Sequence, residues 1–81
     1  MSGSVWCLGR AHLDLPAATV AEFAPGGAVV DVVDPTTCRL TMGAWSWIGL
    51  AGLYLTFGAR LSHVEPAALR EAFVEARGLT P

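Results

Sequence analysis

The sequence is poor in charge and in cysteine, and it contains no lysine. Charged residues make up 15% of the 81 residues and the net charge is −2, whereas domains that bind duplex DNA non-specifically are usually basic. Two cysteines are too few for the disulfide framework of a small secreted protein, and residues 1–9 lack the features of a secretory signal. We therefore expect a cytoplasmic protein that does not read duplex DNA.

Apolar residues are abundant, at 53% of the chain, which excludes a disordered protein and favours one domain with a single core. We expect residues 1–4 to be a flexible start or a cloning remnant, and residues 5–78 to form the domain. An uncharged run of 20 residues, 40–59, reaches the length of a transmembrane helix. Its glycines and its strand-like start argue against a membrane span, and we expect no membrane insertion.

Alternation of side chains predicts the first strand at residues 5–14, with Cys7 on one side and Arg10 and His12 on the other. Short apolar and β-branched runs predict three more strands, at residues 28–33, 37–42 and 60–65. Residues 34–36, DPT, predict a turn because aspartate can bond its own backbone and proline presets φ.

Three helices are predicted around these strands, at residues 16–24, 45–57 and 66–78. Asp14 is close enough to cap the first helix, and Gly58 is placed to end the second in a left-handed conformation. The order β-α-β-β-α-β-α predicts an α+β protein. Its first six elements give the ferredoxin-like βαββαβ sandwich, a four-stranded antiparallel sheet in the order 4-1-3-2, with an extra C-terminal helix.

The residues that could support catalysis or metal binding are poorly arranged for either. If the centres of the first and third strands pair, Cys7 faces Met42 and Cys38 faces Ala11, so the sulfurs lie ~13 Å apart and form no disulfide. The cysteines and histidines match no zinc spacing, and His12 has no nucleophile beside it. We expect no enzymatic activity, no cofactor and no metal site.

Strand alternation places basic and aromatic side chains on the sheet face opposite the first two helices. The predicted effector-binding residues on this face are Trp6, Arg10, His12, Arg39 and Arg60. Arginine and aromatic groups on a sheet are one way to bind single-stranded nucleic acid or another anionic effector. Alternatively, this face is simply half-solvated, or it is covered by the last helix or by a neighbouring subunit.

The second predicted helix is apolar on all sides, whereas a helix on one sheet needs only one apolar stripe. This excess predicts an interface with another copy of the chain, as in a homodimer, or with an adjacent domain. The predicted interface residues are Trp45, Trp47, Ile48, Leu53 and Phe57. The alternative is that the last helix covers the excess.

The second half of the chain carries a recognisable pattern: residues 44–47, AWSW, then 58–61, GARL, then 64–72, VEPAALREA. It resembles the C-terminal extension (WCX) domain of bacterial transcription regulators that contain a WYL domain. His63 departs from the pattern, since that family usually has an apolar strand residue there.

The resemblance implies a ferredoxin-like domain that follows a WYL domain and contributes to dimerisation and to the response to an effector. The chain itself has neither a helix-turn-helix nor a WYL domain, so we expect either a fragment or a stand-alone version. The alternative function is a stand-alone ferredoxin-like module that binds a small ligand.

Overall fold

The computed structural model describes residues 7–78 of the chain. Within them the secondary structure consists of β1 (Cys7–Leu13), α1 (Ala17–Phe23), β2 (Val29–Asp34), β3 (Thr37–Ala44), α2 (Trp47–Leu55), β4 (Leu61–Glu65) and α3 (Ala67–Gly78). Every predicted element is present in the predicted order. The start of the first strand predicted at residues 5 and 6 lies outside the described residues.

The four strands form one antiparallel sheet in the order β2-β3-β1-β4, which confirms the predicted order 4-1-3-2 and the ferredoxin-like fold with an additional helix. All three helices lie on the same face of this sheet. Val20 of α1, Leu50 of α2 and Leu69 of α3 belong to one buried cluster with the inward side chains of β1 and β3. The opposite face of the sheet is therefore left uncovered by the helices.

The predicted alternation of β1 is confirmed. Cys7, Ala11 and Leu13 are buried, whereas Leu8 and Arg10 on the other side are exposed. On β3 the buried side chains are Cys38, Leu40 and Met42. Period-two alternation works here because the helices cover one face of the sheet only.

Tyr54 of α2 joins the helix layer to both central strands. Its hydroxyl lies 2.7 Å from the carbonyl oxygen of Leu40 on β3 and 3.0 Å from that of Gly9 on β1. Burial raises the pKa of Tyr54 far above its ordinary 10.0. The hydroxyl therefore stays protonated, and it donates a hydrogen bond to backbone carbonyl oxygens that are buried in the core.

The predicted register of β1 against β3 is wrong by two residues. Cys7 lies opposite Ala44 and Cys38 lies opposite Leu13, because β3 continues to Ala44 and its centre is later than residues 37–42 suggest. Both thiols stay on the buried side, since a shift of two residues preserves the face. The two cysteines lie at opposite ends of the β1–β3 ladder, which is farther apart than predicted, so they are too distant to form a disulfide.

Helix α2 begins at Trp47 instead of residue 45 because Ser46 is its N-cap, and the Ser46 side chain accepts a hydrogen bond of 2.9 Å from the Gly49 N–H. At the other end Gly58 has φ of 64°, as its predicted left-handed role requires. The uncharged run of residues 40–59 is thus divided between β3 and α2. Within residues 7–78 the structure contains no helix long and apolar enough to span a membrane.

The hairpin between β2 and β3 follows the predicted turn chemistry. The Asp34 carboxylate accepts hydrogen bonds from the Thr36 backbone N–H, at 2.9 Å, and from the Thr36 hydroxyl, at 3.2 Å. The backbone bond is the main cause that lowers the pKa of Asp34. Asp14 does not cap α1 as predicted, since the N-cap position is held by Pro16 and no side chain bonds there.

Candidate effector site on the open sheet face

The sheet face opposite the helices, called the open face below, carries four of the five residues predicted to bind an effector. Arg10 and His12 lie on β1, Arg39 lies on β3, and Arg60 directly precedes β4. Trp6 lies outside the described residues. Because α3 packs beside α2 and β4 on the other side of the sheet, it does not cover this face.

The backbone pairing arranges the open face in two rows that cross the strands. The first row contains Val29, Thr41, Arg10 and Glu65, in the order β2, β3, β1, β4. Directly opposite residues of an antiparallel pair lie on the same face, close enough for their side chains to interact. Arg10 accordingly has Thr41 on one side and Glu65 on the other.

The second row contains Asp31, Arg39, His12 and Ser62 in the same strand order. Each row therefore holds one arginine next to one carboxylate. Arg10 Nε lies 3.5 Å from Glu65 Oε1, and Arg39 Nη2 lies 3.3 Å from Asp31 Oδ2. These two carboxylates offset part of the positive charge that the arginines give to the open face.

An irregularity in β4 changes which of its side chains face the open side. Between Arg10 and His12 on β1 there is one residue, but between their partners Glu65 and Ser62 there are two. Strict alternation would place His63 and Glu65 on the sheet face opposite to that of Ser62. The additional residue breaks this alternation. Instead the ring of His63 stacks on that of His12, and Glu65 pairs with Arg10.

Sequence reasoning missed both carboxylates of the open face. Glu65 requires knowledge of the β4 irregularity, and Asp31 requires knowledge of a second one, between Val32 and Asp34, which brings Asp31 opposite Arg39. One signal was available for Asp31. A charged residue in an apolar strand avoids the core face, because burial without a partner is costly.

Both ion pairs are loose and solvated. Their distances exceed the ~2.7–2.9 Å of a tight charge-assisted bond. The side chains of Arg10 and Glu65 are 54% and 63% exposed. Exposed pairs of this kind contribute roughly 0–1 kcal/mol, so an incoming anion can displace the carboxylates at little cost. Arg60 has no carboxylate within 4.0 Å among residues 7–78, and its carbonyl accepts a 3.0 Å bond from the Asp14 N–H.

A groove of about 440 Å³ lies at one end of the open face, where β1, β4 and the start of α3 meet; we call it the Arg10–Arg70 groove. It is lined by Leu8, Gly9, Arg10, Thr41, Glu65, Pro66, Ala67 and Arg70. Arg70 Nη1 donates a 2.8 Å hydrogen bond to the Val64 carbonyl oxygen. The sequence predicted Arg70 only as a solvated charge on α3. No sequence pattern indicates that Arg70 lines a groove together with residues of β1.

The five residues predicted to form an interface do not share one environment. Trp45 is 83% exposed and precedes α2. The other four are partly buried and pack against the core, namely Trp47, Ile48, Leu53 and Phe57. Helix α3 packs against α2, so part of the apolar excess is covered within the chain, as the alternative prediction held.

The buried nucleophiles are separated from the open face. Cys7 and Cys38 are free and lie on the helix side of the sheet, and burial raises the pKa of the Cys38 thiol above its ordinary 9.0. Within residues 7–78 no group of three or more histidine, cysteine, aspartate or glutamate side chains is arranged to hold a metal ion. The open face thus offers guanidinium, imidazole and hydroxyl groups, which suit binding of an anion.

No protein-family model, curated protein or solved structure matches this chain.

Proposed function

We propose that the chain is a non-catalytic regulatory and dimerisation domain of a WYL-type transcription regulator in the cytoplasm. Its open face would bind an anionic effector such as single-stranded nucleic acid. The observation that carries this proposal is the uncovered sheet face, with two arginines and two histidines on three neighbouring strands and Arg60 directly before β4. Its partners would be a second copy of the chain or an adjacent WYL domain.

The chemistry of the open face suits an extended anionic ligand. Arg39 lies on β3 and Arg60 directly precedes β4, so successive phosphates along one strand of nucleic acid could contact both. The stacked rings of His12 and His63 offer a planar surface beside them, and bases stack on such surfaces without regard to sequence. The exposed carboxylates of the open face limit affinity, which fits an effector that must also dissociate.

A second candidate is a stand-alone module for a small ligand, and the Arg10–Arg70 groove favours it. Its volume of about 440 Å³ lies within the range of roughly 300–1,000 Å³ usual for small-molecule sites. The two candidates differ in the length of ligand that they require. A single nucleotide suffices for the module, whereas the regulator domain gains affinity with each phosphate along a strand.

Fluorescence anisotropy with a labelled single-stranded oligothymidylate of about 12 nucleotides tests the proposal, since OB folds that bind single strands cover ~4–16 nucleotides. We expect salt-dependent binding that weakens by about tenfold or more in Arg39→Glu/Arg60→Glu, because each lost phosphate contact lowers affinity. Arg77→Glu, which reverses one exposed arginine at the far end of α3, is the control for charge reversal away from the open face. Equal binding by all three proteins, or none by the unaltered one, would refute the nucleic-acid effector.

A further inference from the structure

We infer that the Arg10–Arg70 groove binds a phosphate monoester, the terminal phosphate of a nucleotide. This inference rests on the proposed function, because it assigns one part of the effector to one part of the open face. It adds Arg70 to the binding residues. The groove is lined by four elements, β1, β3, β4 and α3, and all of them except β3 contribute a charged side chain.

The two guanidinium groups of the groove are available to a ligand. Arg70 gives one of its five N–H donors to the Val64 carbonyl oxygen at 2.8 Å, which holds the side chain in place, and its other donors make no bond to residues 7–78. Among residues 7–78, Arg10 is held only by the loose 3.5 Å contact with Glu65. Thr41, directly opposite Arg10 on β3, adds a hydroxyl to the lining of the groove.

Glu65 makes the groove selective for a phosphate over a carboxylate. A carboxylate ligand brings one negative charge, the same charge that Glu65 already places beside Arg10. A phosphate monoester carries about −1.5 to −2 at neutral pH and three acceptor oxygens, so it can engage both guanidinium groups and displace Glu65. A monocarboxylate has two acceptor oxygens, one fewer than the phosphate offers to the two arginines and Thr41.

The apolar side of the groove suits the rest of a nucleotide. Leu8 is 56% exposed, and the residue opposite it on β3 is Gly43, so no side chain from β3 covers it. A sugar or base placed over Leu8 would remove apolar surface from water while its phosphate contacts Arg10 and Arg70. The groove is about 440 Å³, large enough for one nucleotide and not for several.

The test compares two single-stranded oligothymidylates of equal length, one with a 5′-phosphate and one with a 5′-hydroxyl, by anisotropy. We expect the phosphorylated strand to bind about tenfold tighter, in line with two charge-assisted contacts to one phosphate. Arg70→Gln should erase this difference. Arg77→Gln, which removes the same charge from the same helix, should leave the difference intact.

Glu65→Gln provides a variant whose expected result is a gain and so cannot come from misfolding. It removes the resident negative charge beside Arg10, and we expect the preference for the 5′-phosphate to widen by severalfold. Thymidine monophosphate and inorganic phosphate, added as competitors, separate a nucleotide site from a general phosphate site. Competition by the nucleotide alone would show that the apolar wall at Leu8 contributes.

The outcomes separate this inference from the proposed function. If both strands bind the unaltered protein equally while Arg39→Glu/Arg60→Glu abolishes binding, the groove inference fails and the proposed function stands. If thymidine monophosphate binds in a manner that depends on Arg70 while neither strand binds, the groove inference stands and the nucleic-acid effector fails. Absence of binding by every probe would overturn both.

Discussion

The imidazole rings of His63 and His12 stack across β4 and β1, with ring centroids 4.3 Å apart and an interplanar angle of 27°. This contact exists because β4 carries an additional residue between Ser62 and Glu65, and His63 takes a left-handed backbone conformation with φ of 52°. The same irregularity directs Glu65 toward Arg10. This one irregularity in β4 thus brings both His63 and Glu65 to the open face.

The histidine stack should be measurable as a coupling energy. We expect the double-mutant cycle of His12→Ala and His63→Asn to show about 0.5–1 kcal/mol of interaction in the free energy of unfolding by urea, typical of stacked ring pairs. Asparagine is chosen because it tolerates the left-handed backbone that His63 adopts. His63→Ala should be less stable than His63→Asn by a further ~1 kcal/mol. Additive single effects would show that the stack contributes nothing.

A Cβ atom added at Gly9 would crowd the neighbouring residues. A Cβ atom there would lie 2.6 Å from Leu69 Cδ2 and 3.0 Å from the Glu65 carbonyl oxygen. We expect Gly9→Ala to lower the free energy of unfolding by about 1–3 kcal/mol, the usual cost of overpacking. Gly52→Ala, in α2 with no atom within 4 Å of the added Cβ, is the matched control and should stabilise the protein by about 0.5–1 kcal/mol. Equal effects of the two substitutions in thermal or urea unfolding would contradict the close approach at Gly9.

The sequence was sufficient to predict the element order, the sheet order and the inward faces of β1 and β3. These features depend on local periodicity and on connection rules, which act over a few residues at a time. Register was predicted less well. The extent of β3 depends on Ser46, whose side chain delays the start of α2 and leaves residues 43 and 44 to the strand.

The composition of the open face was only partly predictable, because it depends on two irregularities in edge strands. Strict alternation from the β2–β3 turn would put Asp31 on the core side, and the unpaired residue between Val32 and Asp34 reverses that. Arg70 was missed for another reason. Its approach to the groove depends on how α3 packs beside α2, a tertiary relationship that no local pattern of α3 encodes.

Tyr54→Phe should reveal the value of the buried hydroxyl. The substitution leaves the ring in place but removes the donor that lies 2.7 Å from the Leu40 carbonyl oxygen and 3.0 Å from that of Gly9. We expect a loss of about 1–3 kcal/mol in the free energy of unfolding, the cost of leaving a buried polar group without its partner. The control is Thr56→Val, which removes a 2.6 Å bond to the Leu53 carbonyl oxygen at an exposed site and should cost less. A larger effect at Thr56 would contradict this assignment.

Stability should fall as the solution becomes alkaline. Burial raises the pKa of Cys38 above 9.0 and that of Tyr54 above 10.0, so the unfolded chain loses these protons at a lower pH than the folded protein does. Above those values the unfolded state binds fewer protons, and the free energy of unfolding decreases as pH rises. The stabilisation is complete below pH 9, and its loss begins with Cys38 and continues with Tyr54.

The absence of lysine makes this pH dependence easy to assign, because the chain has one tyrosine and two cysteines as its side chains that ordinarily titrate between about pH 8 and 11. Urea unfolding under reducing conditions at several pH values, in a Cys7→Ala background, measures the slope. Cys38→Val should flatten the slope that begins near pH 9, and Tyr54→Phe should flatten the part above pH 10. A slope unchanged in both variants would disprove the assignment.

Trp45 is the residue on which the proposed dimerisation can be tested most directly. It is 83% exposed, while the other four predicted interface residues pack partly against the chain's own core, so a partner would gain most at Trp45. Sedimentation velocity over a range of concentrations should show self-association that Trp45→Ser weakens by ~30-fold or more, the effect of losing a hot-spot tryptophan. Val74→Ser, at an exposed apolar residue of α3, should leave it unchanged. If the unaltered protein stays monomeric, or both variants associate as it does, Trp45 is not an interface anchor and dimerisation must involve other residues or domains.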